Sequence, residues 1–362
     1  MPAPTMSKAT VKTTPAQKVL LVLGSSLLLL VLLGAGELYF RYFTRINFQG
    51  TSRDMFIDRK FGNTYGNAPD YEGISFGAKV RTDQNGFRID PTFRDPTSNI
   101  AVLIIGDSVA FGPGVEESKT FVGRLRRSMP NIRFYNSSVI GYGLHDYANV
   151  VEQFVPLKPE IKYVLLFYSL DDVSDVSAQQ IVQAVSGPEQ ADQAAQDRLA
   201  SLEYRFTSIQ SAIYSLNIYL RSRSKFYLFL KDALTDPAMR YFKQALAEYQ
   251  KENDHITESL RPLEAIAKEL AARRITFEVF VMPYEAQVRT IMQANLLPQK
   301  MVDGFLRRNS IDYYDPAEKF MNSGISAEYL YLYGDPAHLS ETGHHLVSEI
   351  VGGELAKMMA RP

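Results

Sequence analysis

Residues 100–105 form an unbroken apolar and largely β-branched run, and Gly106, Asp107 and Ser108 follow without a gap. A run of this kind is the pattern of a strand covered on both faces, so the chain around it must supply layers on either side. In an open parallel sheet, sites assemble outside the carboxyl ends of the strands, where a rigid element would present the Ser108 hydroxyl. Asp and Ser are also favoured helix caps, so the triplet alone is equally compatible with a helix start. A remote segment adds to it: Asp335-Pro336-Ala337-His338 precedes an amphipathic pattern of Leu346, Val347, Ile350, Val351 and Leu355. An Asp three residues before a His can hold Nδ1 of the ring and leave Nε2 free to accept a proton.

Strand and helix patterns alternate around this stretch. Residues 119–129 have helical spacing, 133–143 read as a strand entering a glycine turn, and 146–154 read as a second helix. A third, fully apolar strand spans 163–169 and ends at Leu170-Asp171-Asp172, a fourth spans 275–282, and a short fifth lies at 311–316. Strands separated by helices imply right-handed crossovers and a parallel sheet. A helical pattern over 289–305 links the last two strands, and a closing helix follows Ser340. Between the third and fourth strands, residues 177–274 are rich in Ala, Gln, Glu and Lys, with helix starts at Gly187-Pro188-Glu189 and Asp236-Pro237. They read as a helical insertion leaving the site edge of the sheet, either a lid or substrate-binding wall or a structural cap.

The amino-terminal part has a different character. The first 18 residues are polar, carry Lys8, Lys12 and Lys18 and contain no acid; residues 19–36 are then uncharged and Leu-rich. Such a run rises about 27 Å as a helix, close to the thickness of a bilayer core. Tyr39, Phe40, Arg41, Tyr42 and Phe43 follow, as suits a membrane interface. A transmembrane anchor over 19–43 is expected, with the lysine tail inside and the body outside; a cleaved signal peptide ending near Gly34-Ala35-Gly36 is the competing reading. Residues 44–98 read as a membrane-proximal lead-in with short strands, among them 79–88 with its Asn85-Gly86 turn, in which Phe87 and Arg88 pack against the domain or face the site.

Composition narrows the chemistry. The 362-residue chain has a formal net charge of −1, and its first 46 residues hold five Lys/Arg against one Glu, so the body is mildly acidic and offers no basic footprint for nucleic acid. Cysteine is absent, which excludes disulfides, thiolate metal sites and a cysteine nucleophile. Gly112-Pro113-Gly114 lacks the Lys-Ser/Thr of a phosphate cradle, and His344 and His345 have no matching ligand cluster, so neither cofactor nor metal is expected. These two histidines are expected on the surface or in helix packing. His145, Tyr284 and Glu285 stand near strand ends and, with Asp107, are candidates for substrate contact.

Taken in order, Gly106-Asp107-Ser108, Asn136-Ser137-Ser138-Val139-Ile140-Gly141 and Asp335-Pro336-Ala337-His338 resemble the SGNH, or GDSL-type, hydrolase superfamily. The resemblance covers most of residues 79–355 and implies a three-layer α/β/α domain over 99–362, with a five-stranded parallel sheet of flavodoxin-like order. It also implies Ser108 as nucleophile, His338 as base, Asp335 as its orienter, and the Ser108 and Gly141 N–H groups in the oxyanion hole. One block departs from the pattern, because Asp171 stands where the family has an Asn whose amide donates to the oxyanion. An ionised carboxylate only accepts hydrogen bonds and would repel that charge. Either Asp171 is protonated, or other donors carry the hole, or the site is weakened.

The expected function is therefore a membrane-anchored, extracytoplasmic serine esterase or O-acyltransferase in a bacterial-type inner membrane. Its expected substrates are acyl, above all acetyl, esters of an envelope or secreted polysaccharide or an acylated small molecule, with other membrane proteins of such a pathway as partners. The alternatives are a catalytically weak or inactive glycan-binding or scaffold protein, and a lipase or thioesterase working near the bilayer.

Overall fold

The computed structural model describes residues 14–62, 64–94, 96–173, 208–251, 253–290 and 295–361. The tail before residue 14 and the first part of the expected insertion, with the Gly187-Pro188-Glu189 helix start, lie outside them. Helix α1 (Pro15–Phe43) starts at Thr14, whose hydroxyl accepts from the Gln17 N–H while the Gln17 side chain accepts from the Thr14 N–H. That reciprocal cap, with Pro15 in the first turn, satisfies donors the helix itself leaves open. The 29-residue helix is long and apolar enough to cross a membrane, and its leucines are exposed.

Two small antiparallel sheets follow, β1 (Phe56–Phe61) with β2 (Thr64–Asn67), and β3 (Glu72–Ser75) with β4 (Ala78–Arg81). Ser75 pairs with Ala78, so the second hairpin turns on Phe76 and Gly77, with φ of 50° and 83°. Positive φ at both central residues matches the right-handed twist of the strands; glycine takes it freely and a phenylalanine does not.

The main sheet contains β5 (Ala101–Gly106), β6 (Arg133–Asn136), β7 (Ile161–Tyr168), β8 (Thr276–Val281) and β9 (Asp312–Tyr314), all parallel, in the order β6-β5-β7-β8-β9. This is the flavodoxin-like order. Every residue of β5 is buried, as its unbroken apolar sequence requires. Truncating one of these, Leu103→Ala for instance, would cost about 2–5 kcal/mol through lost burial and the cavity left behind.

Helices cover both faces. After the short α2 (Ser108–Phe111), α3 (Phe121–Ser128) buries Phe121, Val122 and Leu125, and the closing helix packs beside it. Thr120 caps α3 by accepting from the Gly123 N–H. On the opposite face α4 (Leu144–Phe154) packs against α8, the last of four helices α5 (Ser208–Arg221), α6 (Lys225–Thr235), α7 (Pro237–Tyr249) and α8 (Asn253–Ala272). The helix expected over 289–305 is instead two, α9 (Glu285–Arg289) and α10 (Leu297–Arg308). Pro298 lacks the N–H an interior position needs and so belongs to a first turn. Two short helices, α11 (Ala317–Met321) and α12 (Ala327–Leu330), lead to the closing α13 (Glu341–Ala360), where Ser340 accepts from the Thr342 and Gly343 N–H groups.

Among the described residues, the α5–α8 unit is tied to the carboxyl-terminal part of α1. Glu37 of α1 accepts from the Ser224 hydroxyl at 2.7 Å and from the N–H groups of Phe226 and Lys225 at 3.1 and 3.2 Å, which are open donors of the first turn of α6. Arg41 donates to the Arg223 carbonyl at 2.7 Å, and the Phe40 ring stacks on Phe229 with centroids 4.4 Å apart.

Candidate active site

Ser108 is the first residue of α2, directly after β5, and Asp107 is both the linker and the cap, its Oδ1 accepting from the Val109 N–H at 2.8 Å. The cap and the presented hydroxyl are thus one construction. Gly106 allows it, since a Cβ there would meet Ala110 Cβ at 2.7 Å. From the other end of the chain, His338 brings Nε2 to 2.8 Å from Ser108 Oγ and Nδ1 to 2.7 Å from Asp335 Oδ2. Asp335 is itself held, because its Oδ1 accepts from the N–H groups of His338 at 2.8 Å and Ala337 at 3.0 Å. These distances suit a hydroxyl, a base and an orienter.

Electrostatics favour a charged imidazolium next to Ser108. Burial works against protonation of His338, yet the Asp335 carboxylate, assisted by Asp107 and Asp171, outweighs it and holds the ring above its ordinary value. Burial would likewise raise Asp335, but the imidazole and the two backbone N–H groups keep it below the usual carboxylate range. Asp107, with burial and the Asp171 charge acting together, is pushed up to about 7.

Asp171 is the centre of a hydroxyl cluster. Its Oδ1 accepts from Ser169 at 2.6 Å and Tyr284 at 2.7 Å, and its Oδ2 accepts from Tyr241 of α7 at 2.6 Å. These hydroxyls converge on its two oxygens, which are the acceptors of the cluster. Asp172 points elsewhere: it accepts from the Tyr147 hydroxyl at 3.0 Å and the Ser169 N–H at 2.9 Å, and burial, with Asp107 and Asp171 nearby, raises it well above the carboxylate range. Gly141 takes φ of 82° in the turn after β6, and its N–H has no protein acceptor among the described residues.

Ser108 and His338 open into a cavity of about 250 Å³ that Asp107, Asp171, Tyr284 and Asp335 also line. Gly141 is not among its lining residues, nor are two of the candidates for substrate contact. His145 lines a separate hollow with His255, Glu258 and Arg261, because the first turn of α4 faces α8. Glu285 is the buried first residue of α9, paired with Arg289 one turn on at 3.1 Å and pushed up to about 7 by burial.

Arg88 and Phe87 pack rather than face substrate. Arg88 is fully buried, donating to the carbonyls of Phe111, Gly112 and Val115 while its Nε lies 3.1 Å from Glu117. It gathers the loop that follows Ser108, and Arg126 completes the pairing of Glu117. His344 stacks on Phe121, accepts from its N–H at 3.3 Å and is lowered to about 3, chiefly by burial, whereas His345 is exposed.

Several cavity residues carry no motif. Phe76, from the strained hairpin turn, meets the His338 ring edge-on at 5.1 Å between centroids. Gln49 and Phe76 reach the cavity from the lead-in, and Arg221, Lys231, Arg240, Tyr241 and Gln244 reach it from α5, α6 and α7. The one available signal was the Phe76-Gly77 pair between two strand patterns, which marks a turn but not what it touches.

No family model and no curated protein matches the chain. Among solved structures it is similar to a member of the lipolytic protein G-D-S-L family from Veillonella parvula DSM 2008, at 12% identity over 69% of this chain and 94% of that one, with a TM-score of 0.38. It is similar also to a lipase/acylhydrolase from Enterococcus faecalis, at 13% identity over 71% and 95% with a TM-score of 0.39. An acetylxylan esterase from Geobacillus stearothermophilus gives 13% identity over 71% and 94%, again with a TM-score of 0.39.

Proposed function

We propose that the protein is an SGNH-type serine esterase or O-acyltransferase acting on acyl, above all acetyl, esters of an envelope or secreted polysaccharide. The observation that carries this reading is the continuous relay of Ser108 Oγ to His338 Nε2 at 2.8 Å and His338 Nδ1 to Asp335 at 2.7 Å, opening into a cavity. Ser108 Oγ attacks the ester carbonyl as its proton passes to His338 Nε2; Asp335 stabilises the imidazolium, and the oxyanion is received by the Ser108 N–H and, as the family resemblance implies, by the Gly141 N–H of the turn after β6. Collapse of that intermediate expels the alcohol, which takes the proton from His338, and leaves the acyl group on Ser108. Water, or an acceptor hydroxyl, then enters by the reverse sequence. Hydrolysis and transfer use the same residues and differ in whether water is kept from the second step.

Helix α1 serves in this reading as an uncleaved single-pass anchor, with the lysine-bearing tail inside and the cavity outside. The polysaccharide assignment is supported by the anchor and by the polar, hydroxyl-rich wall of the cavity. Asp171 favours a second reading, a glycan binder with little or no turnover, because an acceptor stands where the oxyanion needs a donor.

A fluorescent alkyl phosphonate separates the two. On the enzyme reading it forms an adduct with the full-length protein that is absent from Ser108→Ala, and chromogenic esters are cleaved with acetyl preferred over longer acyl chains. An unlabelled Ser108, under conditions that label a working serine esterase, sinks the enzyme reading in favour of the binder. Preference for long acyl chains points to a lipase instead.

A further inference from the structure

One wall of the cavity is formed by α5, α6 and α7, and it presents three cationic side chains, Arg221, Lys231 and Arg240. Arg221 is held by Gln49, to whose Oε1 its Nε donates at 2.8 Å. No carboxylate pairs with any of the three among the described residues. Asp232, which also lines the cavity, is engaged instead with the Tyr333 hydroxyl. Of the other lining carboxylates, Asp107 and Asp335 belong to the Ser108–His338 end, and Asp171 is already partnered where that end meets the wall, accepting from the Tyr241 hydroxyl of α7 at 2.6 Å. The cavity is therefore polarised, anionic at the reacting end and cationic at the helical wall. Lys231 registers the crowding: burial, and then the like charges of Arg221 and Arg240, lower it to about 8. Unpaired cations held together against their own repulsion are what an anionic ligand relieves.

We infer that Arg221, Lys231 and Arg240 form a subsite for a negatively charged substituent, so that the substrate is an acyl ester on a sugar that also bears a carboxylate or a phosphate. The inference rests on the acyl-transfer reading for its ester and adds the charge. An anion at this wall seats the ester across the cavity at Ser108 while keeping the negative group away from Asp107 and Asp171, so the polarity fixes orientation as well as affinity. A neutral acetylated glycan would leave the three cations unpaired, and discrimination follows from that loss.

The test uses the full-length Ser108→Ala protein in detergent micelles, which binds without turning over. It is titrated with three methyl O-acetylhexosides that differ only at C6: a neutral hydroxymethyl, a carboxylate and a phosphate. The expected result is at least tenfold tighter binding of one or both charged probes than of the neutral one. In the Lys231→Met/Arg240→Gln variant, made in the same background, that ratio falls toward one. The tighter of the two charged probes tells a uronate from a sugar phosphate. Equal binding of all three, no binding of either charged probe at millimolar concentration, or a ratio that survives the double substitution overturns the subsite. Failure here is distinct from failure of the enzyme reading. A labelled Ser108 with no charge preference removes the subsite alone, and a charge preference with an unlabelled Ser108 removes the catalytic reading alone.

Discussion

At the scale of single residues, Asp171 is the position where the proposed chemistry departs from the family pattern by one heavy atom. Its Oδ1 accepts from the hydroxyls of Ser169 and Tyr284 and its Oδ2 from Tyr241, and the residue lines the cavity. In Asp171→Asn, the amide oxygen can keep the two Oδ1 donors, and the NH2 group takes the place of Oδ2 with protons to offer a developing oxyanion. Removing one such donor typically costs about a hundredfold or more in kcat, so gaining one is expected to raise kcat by up to that order. The same change removes a negative charge that helps hold His338 above its ordinary value. His338 acts as a base only when neutral, so activity develops as pH rises through its raised pKa; losing the Asp171 charge lowers that pKa and moves the limb to lower pH. Ester hydrolysis by Asp171→Asn is thus expected to be faster, with its rising limb shifted toward acid. A pH–rate profile checks both, and a slower enzyme with an unmoved limb would show that Asp171 contributes something an amide cannot.

At the scale of elements, the hairpin of β3 and β4 puts the Phe76 ring against the imidazole at the expense of its own backbone. A bulky residue at φ of 50° stores about 1–3 kcal/mol of strain, and strain of that size persists where the surroundings impose it. Asparagine tolerates this conformation, so Phe76→Asn keeps the turn and removes only the ring. The expected outcome is a melting temperature within a few degrees of wild type and kcat/KM lower by about tenfold, from a base less firmly positioned. Unchanged kcat/KM would reduce the hairpin to scaffold. This contact also marks where sequence reading stops. The strands around Ser108 were legible because burial on both faces leaves an unbroken apolar run, and Asp335 and His338 because the one stands three positions before the other. Phe76 meets His338 across more than two hundred residues, and Arg221, Lys231 and Arg240 look in sequence like the solvated face of amphipathic helices. His145 and Glu285 were placed by closeness to strand ends, but helix packing turns one toward α8 and buries the other.

At the scale of the whole molecule, the apolar helix and the cavity are near neighbours. Helix α1 ends at Phe43 and Gln49 already lines the cavity, so six residues of chain keep the two within roughly 20 Å even when fully extended. Glu37 reinforces this by binding the first turn of α6, which carries Lys231. On the anchor reading proposed above, this junction brings the site to the membrane surface, on the side opposite the lysine-bearing tail. The absence of cysteine allows that side to be read directly, because any introduced thiol is the only one in the chain. With Lys8, Lys12 and Lys18 ahead of the apolar run, the tail is expected inside and the body outside. Lys79→Cys, on the exposed side of β4, is then modified by a membrane-impermeant maleimide in intact spheroplasts. Ser7→Cys is modified only after the membrane is opened, and both variants stay with the membrane fraction after an alkaline wash. The opposite labelling pattern inverts the orientation and removes an extracytoplasmic glycan from the substrates within reach. Release of the protein by the wash, with its amino-terminal residues missing, identifies the apolar run as a cleaved leader and frees the cavity from the bilayer.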